Sequence, residues 1–522
     1  MFAIFPIIFI YSENIHLLPF QEIIIPLFVV VGTTILFWFF STLFTKNSIK
    51  TGLFASLFLV TFFSYGHILN LLSGVSFNDV DIGRHRFLLI PFCGIIIAGI
   101  VYLLKTKREL NNLSKITNVV SVTIVLIVVF NIGISISNEN YFFSESGNTD
   151  EKFLGVGASN ESFLTFFSET NEENIISDKS NANPNHPDIY YIILDEYGSS
   201  SALNEFLNFD NSSFESQIKE KGFSIFSPSF TNYPTTVQSL GSSLNMKYIN
   251  YLTDDAGENS KNYHLLNNVL SKNEVMNLLQ KKNYNIINMG ALWGPNNEFF
   301  YVDENLCEFK EFNRDSLIRE LLQITMLSYI QERLVEQGRR DRVLCVFDEI
   351  PNLHQEFTSP KFVFAHIMLP HAPYIFGPNG EHVTPGTSLD DEPWNPKQAH
   401  VNQIKFANKK IVPLIENILS YNENSIIIIQ GDTGSAFNGS WEDPSNDLVI
   451  ERMSNLNAIY FPNQNYESLV SVKTPINTFR IIFNEYFDEN YRLLEDKMYW
   501  STGDSPYLHN EVTKLLEISI EN

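Results

Sequence analysis

Charge is scarce in this chain, and cysteine scarcer. Only 18% of the 522 residues are Asp, Glu, Lys or Arg, short of the roughly 25% of an ordinary soluble domain. The shortage is uneven. Of 35 basic and 59 acidic residues, 8 and 5 lie at or before Asn138, leaving 27 and 54 beyond it. A slightly basic, apolar first part and a strongly acidic second part exclude both a simple cytosolic enzyme and a pure transporter. The acidic balance of the second part argues against nucleic acid as a partner, because phosphate backbones are neutralised by Lys and Arg. The N-terminus lacks the basic start and small-residue cleavage site of a signal peptide, and there is no internal repeat.

The first part contains four uncharged apolar runs, residues 23–44, 51–72, 87–104 and 117–136. Each is about the ~20 residues that cross a hydrocarbon core as a helix. A fifth run, 2–11, is too short to span and reads as a partial, re-entrant or truncated first segment. Lys46 and Lys50 flank the first loop, and Lys105, Lys107, Arg108 and Lys115 the third. Basic loops stay cytoplasmic, so four helices leave everything after about Asn138 outside the cytoplasm. His67 and Arg84-His85-Arg86 suit either a headgroup or ion site or side chains that snorkel to water. Cys93 falls inside the third helix and reads as a small packed hydrophobe. Cys307 and Cys345 form a disulfide if their side is oxidising and are free thiols otherwise.

Residues 138–186, rich in Ser, Asn and Glu, read as a linker between a membrane domain, 1–137, and an outer domain, 187–522. In the outer domain short β-branched or aromatic runs (189–194, 223–226, 284–288, 361–365, 425–430 and 456–461) alternate with helical stretches such as 269–281, 316–337 and 401–421. Such alternation predicts an α/β sandwich around a mostly parallel sheet, whose functional groups gather beyond the carboxyl ends of the strands. Three runs end suggestively: 189–194 in Asp195-Glu196, 361–365 in His366, and 425–430 in Gly431-Asp432-Thr433-Gly434. Two Asp at two strand ends, with hydroxyl and imidazole groups elsewhere, suit a hard cation.

These segments carry a resemblance. Pro187-Asp-Ile-Tyr-Tyr-Ile-Ile-Leu-Asp195 resembles the opening strand of the alkaline phosphatase superfamily in its sulfatase-like branch, which includes lipoteichoic acid synthases and phosphoethanolamine transferases. Thr236-Val-Gln-Ser-Leu-Gly-Ser-Ser-Leu244 resembles the nucleophile segment, with Thr236 in the nucleophile's place. Lys361-Phe-Val-Phe-Ala-His366-Ile-Met-Leu-Pro-His371-Ala-Pro373 is similar to the histidine-containing substrate segment, and 426–432 to the strand that delivers the second metal-binding Asp. Arg452-Met-Ser-Asn-Leu-Asn-Ala-Ile-Tyr-Phe-Pro462 and Thr474-Pro-Ile-Asn-Thr478 resemble the family's last strand and the start of its C-terminal helix. The resemblance implies a membrane-anchored α/β enzyme holding one or more divalent cations (calcium, magnesium, manganese or zinc) through Asp195, Thr236, Asp432 and Thr433. Thr236 would be the nucleophile, and His371 and His366 would orient the substrate or protonate the leaving group. The expected substrate is a phosphate-linked group on a membrane lipid or envelope glycan; no protein partner is implied.

Two departures shape the expectation. Sulfatases convert a Cys or Ser nucleophile to formylglycine and carry an Arg four places on, where this chain has Thr236 and Leu240. Phosphoryl transfer is therefore favoured over sulfuric ester hydrolysis. Thr433 stands where the family has a metal-ligand His, which favours a harder ion than zinc or a silent, glycan-binding member. Asp432-Thr433-Gly434-Ser435 also spells an aspartic protease motif, but that chemistry needs two such motifs and the chain has one. Glu196 reads as solvent-facing or supporting, and Asn245 as a possible substrate contact.

Overall fold

The computed structural model describes residues 1–13, 23–72, 75–77, 80–144, 186–290, 299–307, 316–388, 393–470 and 472–521. Most of the expected linker lies outside them. The chain forms two compact units, one drawn from the described parts of Met1–Glu172 and Lys310–Gln337, the other from those of Glu173–Phe309 and Gly338–Asn522. That division differs from a split into 1–137, 138–186 and 187–522.

In the first unit, α1 (Phe5–Glu13) precedes α2 (Ile24–Thr45), α3 (Ser48–Leu72), α4 (His85–Lys105) and α5 (Asn111–Ser144). The last four are long and apolar enough to cross a membrane. Nine residues of α1 span only about 13 Å, and its Ile7, Ile10 and Tyr11 pack with Phe63, Leu317 and Leu321. The expected helix over 316–337 is instead two, Ser316–Gln323 and Ser328–Glu349. At the break the segment docks on α3: Gly66 N–H donates to Ile324 O (2.9 Å) and Met326 N–H to Phe62 O (3.1 Å). Glycine is required there, because a Cβ on Gly66 would collide with Gln323 O and Ile324 Cα. His85, at the start of α4, bonds Tyr65 Oη through Nδ1 (2.8 Å) and Glu332 Oε2 through Nε2 (2.9 Å). Cys93 is exposed on α4 rather than packed.

The second unit is built on a seven-stranded sheet: β1 (Asp188–Leu194), β2 (Ser224–Ile225), β3 (Asn285–Met289), β4 (Glu304–Asn305), β5 (Lys361–Ile367), β6 (Ser425–Gly431) and β7 (Asn457–Tyr460). Their order is β2-β7-β6-β1-β5-β3-β4. The pairs from β6 to β4 are parallel, and β7 runs antiparallel to both its neighbours. Central strands buried on both faces explain the continuous apolar runs. Tyr190, Ile192 and Leu194 enter one core with Ile404, Ile411 and Ile415 of α7 (Pro396–Tyr421). The alternate residues, Ile189, Tyr191 and Ile193, enter the other with Val237, Leu240 and Leu244 of α6 (Thr236–Asn245).

A buried ion pair fixes the strand starts. Asp188 accepts Lys361 N–H (3.0 Å), Lys361 Nζ (2.8 Å), Ser359 Oγ (3.0 Å) and Asn422 Nδ2 (2.9 Å). All its partners are satisfied, which is what a buried charge requires. The stretch expected as one helix over 269–281 is two short ones, His264–Ser271 and Glu274–Lys281. Cys307 and Cys345 are joined in a disulfide.

Candidate metal centre

Parallel register brings the ends of β1, β5 and β6 side by side, since Ile193 pairs with His366 and Leu194 with Gly431. The site is assembled there. Asp195, His366 and Asp432 are buried, and one potential ligand atom from each lies within 4.8 Å of the others. His366 Nε2 is 3.1 Å from Asp195 Oδ2. Asp432 Oδ1 accepts the backbone N–H of Glu196 (3.0 Å) and of Thr433 (2.8 Å). That leaves Asp195 Oδ1, Asp432 Oδ2 and the Thr433 hydroxyl buried without a hydrogen-bond partner.

Two glycines frame Asp432. A Cβ on Gly431 would strike Tyr197 O, and one on Gly434 would strike Glu451 O and Ser454 O. The Gly-Asp-Thr-Gly pattern thus answers to close backbone approach. The carboxylate facing Asp432 is Asp195, at the end of β1, so no protease-like pair of repeated motifs is formed.

Thr236 opens α6 behind the N-cap residue Thr235, with its side chain beside the Asp432 carboxyl. Ser239 Oγ, one turn on, donates to Asp432 O (2.7 Å). Burial raises the Asp432 carboxyl to about 6, helped by the charge of Asp195. Burial also works to raise Asp195, but His371 and the His366 hydrogen bond outweigh it and hold Asp195 below the ordinary carboxylate range. One carboxyl is driven up and its neighbour down, the signature of like charges sharing a site.

His371 follows β5 on a loop. Its N–H donates to Asp195 O (3.1 Å), and its Nε2 lies 3.7 Å from Glu196 Oε1. Burial tends to lower the His371 pKa, but Asp195 and Glu196 raise it above the usual histidine value. The loop hangs on one amide of α7: Gln403 Nε2 donates to Pro370 O (2.9 Å) and His371 O (3.0 Å), while Oε1 accepts Ile375 and Phe376 N–H. His400, also on α7, is wholly buried between Tyr374 and Phe437, and burial lowers it to about 4.

The structure therefore gathers Asp195, Thr236, His366, Asp432 and Thr433, with His371 beside them. Asn245 is elsewhere, its amide spent on Gly241 O, Val269 O and Glu274 N–H. Glu196 is half-buried at φ 63°, a conformation costly for a non-glycine residue, and Arg452 bonds its carboxylate (2.6 Å). Sequence reasoning gave no role to Arg452, Gln403 or His400. Only their polarity amid apolar helical positions marks them, and that signal is common on any helix.

No family model and no curated protein matches the chain in sequence. Among solved structures, the C-terminal periplasmic domain of EptC from Escherichia coli, in complex with zinc, is similar over 62% of this chain and 91% of its own. The identity is 11% and the TM-score 0.40. The integral membrane protein lipooligosaccharide phosphoethanolamine transferase A from Neisseria meningitidis is similar over 93% and 94%, at 11% identity and TM-score 0.37. A sulfatase, YidJ of Bacteroides fragilis, described as putative, is similar over 62% and 83%, at 11% identity and TM-score 0.37.

Proposed function

We propose that the second unit is a cation-dependent phosphoryl-transferring enzyme, anchored by α2 to α5 and acting outside the cytoplasm on phosphate-linked groups of membrane lipids or envelope glycans. One observation carries the reading. Two buried carboxylates and an imidazole converge beside a helix-opening hydroxyl, and an oxygen of each carboxylate is left without a protein partner. Buried carboxylate oxygens are expensive to leave unpaired, and a divalent cation satisfies them. Asp195, His366 and Asp432, with Thr236, would hold it; His366 thus moves from the substrate-orienting role to the ligand set. An N/O donor set of this kind suits manganese, zinc or magnesium. When bound, the cation would stabilise the Thr236 alkoxide and the charge on a phosphoryl group.

The chain's own residues supply the rest. Thr236 Oγ1 gives its proton to solvent water and attacks phosphorus, while the bond from phosphorus to the leaving oxygen breaks. That oxygen takes a proton from His371. Water or an acceptor hydroxyl, deprotonated by His371, then attacks phosphorus and releases Thr236 with its proton restored. The N-terminus of α6 directs its positive end at the phosphoryl oxygens. Basic loops beside α2 to α5 and the Cys307–Cys345 disulfide both support an extracytoplasmic, oxidising location.

The test is turnover of bis(p-nitrophenyl) phosphate by the full chain in detergent. Activity should appear with manganese or zinc, vanish with chelator, and fall by about 10³-fold or more in Thr236→Ala. Turnover indifferent to both chelator and Thr236→Ala would refute the reading.

A further inference from the structure

We propose that Arg452 is a positioning residue of this site, a single guanidinium that holds the three loops carrying Asp195, Thr236 and Asp432 in register. It lies in the last turn of α8 (Asn446–Met453) and is 6% exposed. Its Nε donates to Pro234 O (2.8 Å), two residues before Thr236. Its Nη1 donates to Glu196 Oε1 (2.6 Å), next to Asp195, and to Gly434 O (2.8 Å), two residues after Asp432. Its own carbonyl accepts Gly434 N–H (2.7 Å), so both halves of the residue grip the Asp432 loop. Trp441 covers the guanidinium, with its ring centroid 5.1 Å away.

The three loops come from distant parts of the chain, and among the described residues no other side chain is seen to bond all three. The consequence reaches His371 as well. Glu196, held by Arg452 through its carboxylate and by Asp432 through its N–H, faces His371 Nε2. A planar fork with separate Nε and Nη donors is needed for this, and the point charge of Lys does not supply one. Arg452 also sets a fixed positive charge beside three carboxylates, Asp195, Glu196 and Asp432.

The activity half of the test rests on the phosphoryl-transfer reading; the structural half does not. Hydrogen exchange on the full chain should show peptides covering 195–198, 232–236 and 432–436 opening together, about tenfold faster in Arg452→Ala than in the wild type, with β1 and β6 unchanged. In turnover of bis(p-nitrophenyl) phosphate, kcat should fall about 100-fold in both Arg452→Ala and Arg452→Lys, with KM little altered. Millimolar guanidinium should restore part of the Arg452→Ala rate and none of the Thr236→Ala rate. If Arg452→Ala does not fold, Arg452→Gln serves the same comparisons. Wild-type protection in any one of the three loops, or a wild-type kcat in Arg452→Lys, would overturn the proposal. A wild type without turnover, whose three loops still open together in the variant, sinks the phosphoryl-transfer reading and leaves the positioning role supported.

Discussion

Asp432 is the carboxylate of the site whose ionised form the cation-free fold disfavours. Burial and the nearby Asp195 raise its pKa to about 6 from 3.8, so the ionised form is disfavoured in the fold relative to the unfolded chain. The sign follows from linkage. Above about pH 6 the cation-free fold bears this cost, and the cost is relieved as pH falls through 6. Asp432→Asn should therefore raise the unfolding free energy in chelator at pH 8 by on the order of 1–3 kcal/mol, and the melting temperature with it; a lower melting temperature would contradict this account of the site. His509 works in the opposite sense. Burial beside Tyr233 and Tyr499 lowers it to about 4. Its contribution is complete above about pH 6.5 and is lost as pH falls toward 4. Between pH 7 and pH 5 the wild type should lose about 2 kcal/mol more than His509→Phe. Equal losses in chemical denaturation would show that the ring is protonated without cost.

At the scale of elements, the ends of β1, β5 and β6 are what make a site from residues far apart in sequence. The strands were legible because central parallel strands bury both faces, leaving runs such as 189–194 and 425–430 that end at chemically active residues. His366 was legible as a strand-end residue but not as the partner of Asp195, since that contact depends on the Ile193-to-His366 register. Arg452 and Gln403 escaped notice for a similar reason: Arg452 joins loops that only the folded sheet brings together, and Gln403 holds one loop from a helix distant in sequence. The break at 324–327 was invisible too, because helical periodicity continues through it and the interruption comes from docking on α3. Gly66→Leu should abolish that docking, forfeiting two backbone hydrogen bonds of about 1 kcal/mol each and adding a steric clash. Limited proteolysis of the full chain should then cut within 320–330 at least several-fold faster. An unchanged cleavage rate would mean that Gly66 does not seat this segment.

For the whole molecule, the uneven charge acquires a definite meaning. The apolar part supplies four helices fit to cross a membrane, and the acidic part supplies the sheet that carries the centre. The charge split located the long apolar helices but not residues 316–337, which lie within the acidic part of the sequence and belong to the first unit. An acidic chain binds cations weakly at many places, so bulk metal content says little. The decisive measurement is calorimetric titration of manganese into the chelator-stripped full chain, compared with Asp195→Asn and Asp432→Asn. The account predicts one tight site per chain in the wild type that disappears in both variants while weak binding persists. A wild type without that site, or variants that keep it, would contradict the central claim.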